Sequence, residues 1–325
     1  MTYLLLRLAR SLLLLLGVSV MCFLFTEMAP GSFFDELQLN PQISRETIAT
    51  LQANYGLDRP LATRYFHWMS SALRGDLGYS IAYNMPVAPL LWTRAQHTLL
   101  LTITAAFFTW LVGVPLGLWT ASSQGKLVDK VASPVVSFLL SVPELVIAIL
   151  LLALAVRWRV VPVGGMASLG AEKLAPWEKV EDVALHMLLP VSILILGGVA
   201  VVERHVRASV IEVLQTPYIR AARGLGIGRA RLLFRHVLPV AANPAISLFG
   251  FSLSALLGGS LIVEVVTGWP GLGPLILDAT LSRDLYVVIG AVMFSAVFMI
   301  AGNLIADVLL LASDPRIRAG EGDAK

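Results

Sequence analysis

Charge is scarce in this chain. Asp, Glu, Lys and Arg make up only 14% of its 325 residues, against about a quarter in a soluble domain. Cysteine is almost missing: Cys22 stands alone in an apolar run, which excludes an internal disulfide framework. The five histidines, at 67, 97, 186, 205 and 236, have no ligand spacing, and the zinc sequence HExxH does not occur. No phosphate-cradling loop is present either. The one Gly-Lys pair, Gly125-Lys126, runs on into Leu127, and Thr120 stands where the first glycine of such a loop belongs. "GLGIGRA" fails as a dinucleotide fingerprint, because Arg229 takes the third glycine's place and no strand is expected before it. Ser260 in "LGGSLI" lacks a base: the last histidine, His236, lies in another segment. Small residues there are expected to let helices approach closely. These gaps remove most intramembrane and soluble enzyme chemistries.

What is abundant is apolar surface. Hydrophobic residues make up 57% of the chain and the mean hydropathy is +0.79. A globule of this size has no interior large enough for them, so lipid is the expected solvent. A helix needs about 20 apolar residues to cross the hydrocarbon. Six segments qualify: 11–29, 98–121, 131–156, 186–202, 240–262 and 285–311. The first, preceded by Arg7 and Arg10, is read as a retained anchor; it exceeds a signal-peptide core, and "EMAPGS" is a poor cleavage site.

Charge placement orients the spans. The N-terminus, loops 122–130 and 203–239 and the tail after 311 together hold 14 of the 24 basic and 6 of the 21 acidic residues, a net of +8. The opposite loops hold 10 basic and 12 acidic residues, a net of −2. Positive charge collects on the cytoplasmic side, so both termini are expected there. Glu27, Glu144 and Asp307 are left inside spans, where ionisable groups are costly. Glu144 and Asp307 are candidates to line a path for a polar solute, weighed against satisfaction by a neighbouring helix.

The first outer loop, residues 30–97, is too long for a linker. Ser44 as a cap with Glu46 behind it predicts one short helix stopped by Gly56. Pro60 predicts another, ended by Gly75 and Gly78. The second outer loop reads as an irregular cap. The third, "EVVTGWPGLGPLILDATLSRD", is apolar but broken by Gly268, Pro270, Gly271, Gly273 and Pro274. Non-helical backbone is expected there, tucked into the mouth of the bundle.

The most unusual stretch is "TPYIRAARGLGIGRARLLFRHVLP", residues 216–239, with five arginines and three glycines. Thr216 as cap and Pro217 in the first turn predict a short helix through "YIRAAR". Gly224, Gly226 and Gly228 then break it, and "RARLLFRHVLP" leads into the next span. A basic loop lying on anionic headgroups would account for the charge, but not for the glycine elbow.

These residues resemble the permease subunits of ATP-binding-cassette importers. Their cytoplasmic signature runs Glu-Ala-Ala, three residues, Gly, nine residues, Ile-x-Leu-Pro. Here Arg220-Ala221-Ala222, Gly226 and His236-Val237-Leu238-Pro239 keep the spacing, with Arg220 for the glutamate and His236 for the isoleucine. "YIRAARGLG" looks like the dipeptide, oligopeptide and nickel branch. "APGSFFDE", "YGLDRPLATRYFHWM", "GDLGYS", "GWPGLGPLILDA" and "DPRIR" agree, in order, over nearly the whole chain.

The resemblance implies an all-α integral membrane protein of six transmembrane helices with the type I importer permease fold. Residues 1–97 would be an anchor helix plus an external helical segment. Residues 98–311 would be a five-span core with the coupling loop 203–239, and 312–325 a cytoplasmic tail. The coupling helix, Tyr218, Ile219, Arg220, Ala221, Ala222, Arg223 and Gly224 with Gly226 after it, would seat in a groove of a separate ATPase. Trp269, Pro270, Gly271 and Gly273 would form an external gate or docking loop. No cofactor is expected in this chain; ATP and Mg would be held by the partner subunits. The implied partners are a second homologous permease, two ATPase subunits and an extracytoplasmic substrate-binding protein, with no nucleic acid. The implied location is the bacterial inner membrane, and the implied cargo a di- or oligopeptide or a solute such as a nickel complex. The competing reading is a proton-coupled secondary transporter using Glu144 or Asp307. Such carriers are often built from inverted repeats, and no internal repeat is visible here.

Overall fold

The computed structural model describes residues 2–28, 44, 46, 50 and 59–313. Eleven labelled helices and one two-residue hairpin cover most of them. Helix α1 (Thr2–Met28) is followed by α2 (Leu61–Ala72) and by strands β1 (Tyr79–Ser80) and β2 (Met85–Pro86). Then come α3 (Val87–Ser122), α4 (Leu127–Ser141), α5 (Glu144–Trp158) and α6 (Pro176–Leu214). After them lie α7 (Pro217–Gly224), α8 (Arg229–Leu232), a π turn (Leu233–Val237) and α9 (Leu238–Thr267), then α10 (Leu272–Leu281) and α11 (Leu285–Ser313). Among the described residues five helices are long and apolar enough to cross a membrane, and α4 with α5 makes a sixth, broken span.

That break departs from the straight span expected over 131–156. Helices α4 and α5 meet at 102°. Pro143 clashes with helical backbone in the residue before it, and Val142 is accordingly extended, at φ −88° and ψ 124°. Glu144 therefore opens a new helix instead of sitting in the middle of an old one. Pro115, Pro134, Pro190 and Pro244 lie within α3, α4, α6 and α9, where the helices run on.

The chain divides into two compact units, one of Met1–His97 with Pro270–Phe298 and one of Thr98–Trp269 with Met299–Lys325. In the first, Phe23 of α1, Trp68 of α2 and Ile289 of α11 are buried together, with Phe23 edge-on to Tyr65 at 5.2 Å. The motif "GDLGYS" has a local reason. Asp76 accepts from the Gly78 N–H at 2.9 Å. Gly78 has φ +98°, and a Cβ on it would lie 3.0 Å from the Tyr286 ring. Ser80 and the Ala82 N–H both donate to the Asp284 carboxylate, at 2.6 and 3.1 Å. Of the helix expected from Ser44, Glu46 and Thr50 are helical, and the Thr50 hydroxyl donates to the Glu46 carbonyl at 2.8 Å. Its predicted stop at Gly56, and the tail from residue 314 on, lie outside the described residues. Pro60 does precede a helix, and Gly75 and Gly78 follow its end with positive φ.

In the second unit α6 is the central helix. Its apolar window is 56% buried, against 33% for α3 and 35% for α9. It packs on α4, α5 and α9. Against α3 the approach is set by small residues. A Cβ on Gly113 would stand 2.8 Å from Val202, one on Gly117 2.8 Å from Val206, and one on Gly198 2.8 Å from Thr109. Residues 109, 113 and 117 thus pair with 198, 202 and 206, one turn at a time. Small residues let backbones close up where lipid gives no hydrophobic drive to associate. The other face of α3 presents Ile103, Phe107 and Leu111, all exposed at helical spacing, as a helix solvated by lipid requires.

Candidate functional site

Thr216 precedes α7 with extended backbone and Pro217 occupies its first turn, as the sequence predicts. The Thr216 hydroxyl does not cap the new helix, however; it donates back to the Val213 carbonyl at 2.6 Å. Helix α7 is only eight residues long, well below the ~12–15 at which an isolated helix becomes marginal in water. Tertiary anchors hold it instead. Ile219 is fully buried among Val206, Val210, Val213, Leu232 and Val237, and Ala222, one turn on, packs against the same cluster. The Tyr218 hydroxyl donates to the His236 carbonyl in the π turn at 3.1 Å.

The end of α7 explains the spacing of the signature. The Ile227 N–H donates to the Ala222 carbonyl at 3.4 Å, and the Gly226 N–H to the Arg223 carbonyl at 3.0 Å. Gly226 has φ +76°. This paired closure around a left-handed residue is the Schellman motif. It fixes the interval from Ala222 to Gly226, and the left-handed residue is one that glycine fills without strain. Ile227, just after it, folds back against the cluster that holds Ala222.

The opposite face is free of such packing. Tyr218, Arg220, Ala221, Arg223 and Gly224 are exposed, as are Leu225 and Gly226 beyond them. This divides the expected contact set: Ile219 and Ala222 are anchors of α7, and the remaining members form its outer surface. Ala221, and not Ala222, is the small residue a partner's surface could approach.

The other candidates fall elsewhere. Glu144, half-buried, puts its carboxylate against Gly259 of α9, where a Cβ would collide with it. Asp307 is buried in α11. In the third outer segment non-helical backbone is limited to Gly268–Gly271 and Ser282–Asp284, and α10 begins at Leu272 despite Gly273 and Pro274. This corrects the expectation of an irregular loop: Pro274 falls in the first turn of α10, where its missing N–H costs no helical bond. Trp269 is fully buried in the core of the second unit. In the first unit the Pro270 carbonyl lies 2.9 Å from His97 Nδ1 and accepts from Arg94 Nη1 at 3.3 Å, while Gly271 and Gly273 are buried. In this conformation Trp269, Gly271 and Gly273 are interior and present no docking surface.

Sequence reading missed two polar pairs built on buried carboxylates. Glu203 of α6, 1% exposed, accepts from the Thr120 hydroxyl of α3 at 2.6 Å. Asp129 at the start of α4 receives Arg207 of α6 at 2.7 Å, the Gly125 N–H at 2.9 Å and the Ser133 hydroxyl at 3.1 Å. Each pair joins residues about 80 positions apart, so no local pattern announces it.

The comparisons with known proteins settle the class. Residues 113–319 match the family of binding-protein-dependent transport system inner membrane components, and residues 1–102 match the N-terminal part of such components. The chain belongs to this family. It is an importer permease of the ATP-binding-cassette type. It is 33% identical over 320 residues to the oligopeptide transport system permease protein AppB of Bacillus subtilis, covering 97% of this chain and 98% of that one. It is also 33% identical to the dipeptide transport system permease protein DppB of Escherichia coli K12, covering 93% and 94%. Among solved structures it resembles the inward-facing MetNI methionine ABC transporter, with a TM-score of 0.51 at 19% identity over 67% of this chain and 95% of that one. An amino acid ABC transporter structure aligns equally well, with a TM-score of 0.51 at 21% identity over 69% and 94%. These structural likenesses speak to the fold alone.

Proposed function

We propose that this permease moves peptides, di- or oligopeptides, or a related solute such as a nickel complex, inward across a bacterial inner membrane. The names of its relatives support peptide as cargo. A second homologous permease would complete the pore, and an extracytoplasmic binding protein would deliver the substrate. Both termini and α7 would lie in the cytoplasm. Two ATPase subunits there would hold ATP and Mg, with none bound by this chain. The observation that carries the reading is α7 itself: a short helix anchored by Ile219 and Ala222, with Tyr218, Arg220, Ala221 and Arg223 left outward. A helix held rigidly on one side and bare on the other is suited to seat in a partner's groove and pass on its movement.

The test is to tag the chain in its own cells, extract it in mild detergent and identify what accompanies it. Recovery of a second permease with P-loop ATPases, and peptide uptake that stops on ATP depletion but survives proton uncoupling, is expected. Uptake by the chain alone in ATP-free vesicles would overturn the reading in favour of a secondary carrier.

A further inference from the structure

One cavity belongs to none of the features above except through Arg223. It has a volume of about 290 Å³ and lies where the ends of α3, α6 and α7 meet α8 and the π turn, with Lys126 just ahead of α4. Lys126, Arg223 and Arg229 line it with the hydroxyl-bearing Ser122 and Ser123, and no carboxylate is among its lining residues. Positive-inside placement explains why cations occur on this face. It does not explain why three of them line one hollow with no acid beside them. The acid nearest in sequence, Asp129, is committed to Arg207 and to the Gly125 N–H. Among the described residues none of the three cations forms an ion pair.

The rest of the lining is apolar. Leu232 is buried and Phe234 is 62% exposed, four residues before α9 begins. Ser122 is the last residue of α3 and Leu214 the last of α6. Ser122 directly follows the apolar stretch 98–121, and Phe234 comes six residues before the stretch 240–262, so the hollow lies beside the cytoplasmic ends of these two spans, on the side where anionic lipid attracts basic residues. A soluble anion would use the cations but gain nothing from the exposed Phe234 ring.

We propose that this cavity holds the phosphate of an anionic phospholipid from the adjoining leaflet, with Lys126, Arg223 and Arg229 around the headgroup and Phe234 beside its glycerol and upper acyl chains. The site is independent of which solute the importer carries, and through Arg223 it borders the proposed ATPase contact. A lipid bound there would brace the end of α7 against the roots of α3 and α6.

The experiment reads lipid directly. The full chain, purified in neutral detergent, is titrated with phosphatidylglycerol or phosphatidylcholine and lipid adducts are counted by native mass spectrometry. The expected result is one phosphatidylglycerol retained in preference to phosphatidylcholine. The double change Lys126→Gln with Arg229→Gln should weaken it about tenfold or more, and Lys126→Arg should retain it, which separates lost charge from lost fold. Equal retention of both lipids, or an unchanged double variant, would overturn the proposal. Displacement of the lipid by millimolar inorganic phosphate would overturn the lipid source and leave a site for free phosphate.

Discussion

The Thr120 hydroxyl donates to the Glu203 carboxylate at 2.6 Å, across the contact between α3 and α6. Both side chains are buried, Thr120 completely. A carboxylate in such a place depends on every donor it has, because an unmade hydrogen bond exposes the full desolvation cost. Thr120→Val keeps the shape and removes the donor. It should destabilise the permease by about 1–3 kcal/mol, read as a lower melting temperature in detergent, whereas Thr120→Ser should stay near wild type. Equal stability of the Val and Ser variants would mean that Glu203 does not rely on Thr120.

The same helix pair yields a second prediction from Gly117. A Cβ there would stand 2.8 Å from Val206 and 3.0 Å from the Glu203 carbonyl. Gly117→Val must drive α3 and α6 apart, at a cost of about 1–3 kcal/mol or more, and Gly113→Val should do likewise against Val202. Gly197, with open space around its Cβ position, is the matched control; Gly197→Ala should be tolerated. The comparison is made by folded yield in the membrane fraction and thermal unfolding.

For α7 the two faces predict two kinds of defect. Gly226→Arg places a bulky residue at φ +76°, strained by about 1–2 kcal/mol, and on the exposed side. Uptake should be abolished while membrane insertion is kept. Ala222→Arg should also abolish uptake, but by unseating α7 from the cluster around Ile219. A protease-accessibility assay of the loop should separate them, with Ala222→Arg more readily cut. Normal transport by either variant would remove α7 from the coupling role.

Glu144 opens α5 beside Gly259, at the bend of a membrane segment. If its carboxylate borders the solute's path, Glu144→Gln should shift the relative uptake of cationic and neutral peptides, with binding-protein capture unchanged. An unaltered substrate profile would leave Glu144 as packing against α9.

Hydropathy alone located the spans, since a lipid-solvated helix must be apolar around most of its circumference. It did not locate the bend at Val142 and Pro143, because a proline in an apolar run has more than one outcome: Pro115 and Pro190 sit inside unbroken helices. The short helix at 217–224 was legible from Thr216, Pro217 and the glycines that follow, all of which act within a turn or two. Its inward and outward faces were not, because which of Ala221 and Ala222 is covered depends on Val206 and Val210 in another helix. The Asp129–Arg207 and Thr120–Glu203 pairs escaped for the same reason: tertiary packing, not sequence distance, makes them neighbours.

Tyr218 reaches from α7 to the carbonyl of His236, and His236 lies in the π turn that precedes α9. A π turn holds one residue more than regular α-helix, and taking up a single residue rotates the helix beyond it by about 100° and shifts it by about 1.5 Å. The root of the fifth span is thus a screw joint with one thread in reserve, and Tyr218 is fastened to it. A displacement of α7 need not push α9 as a rigid rod; the joint allows it to turn α9 about its own axis.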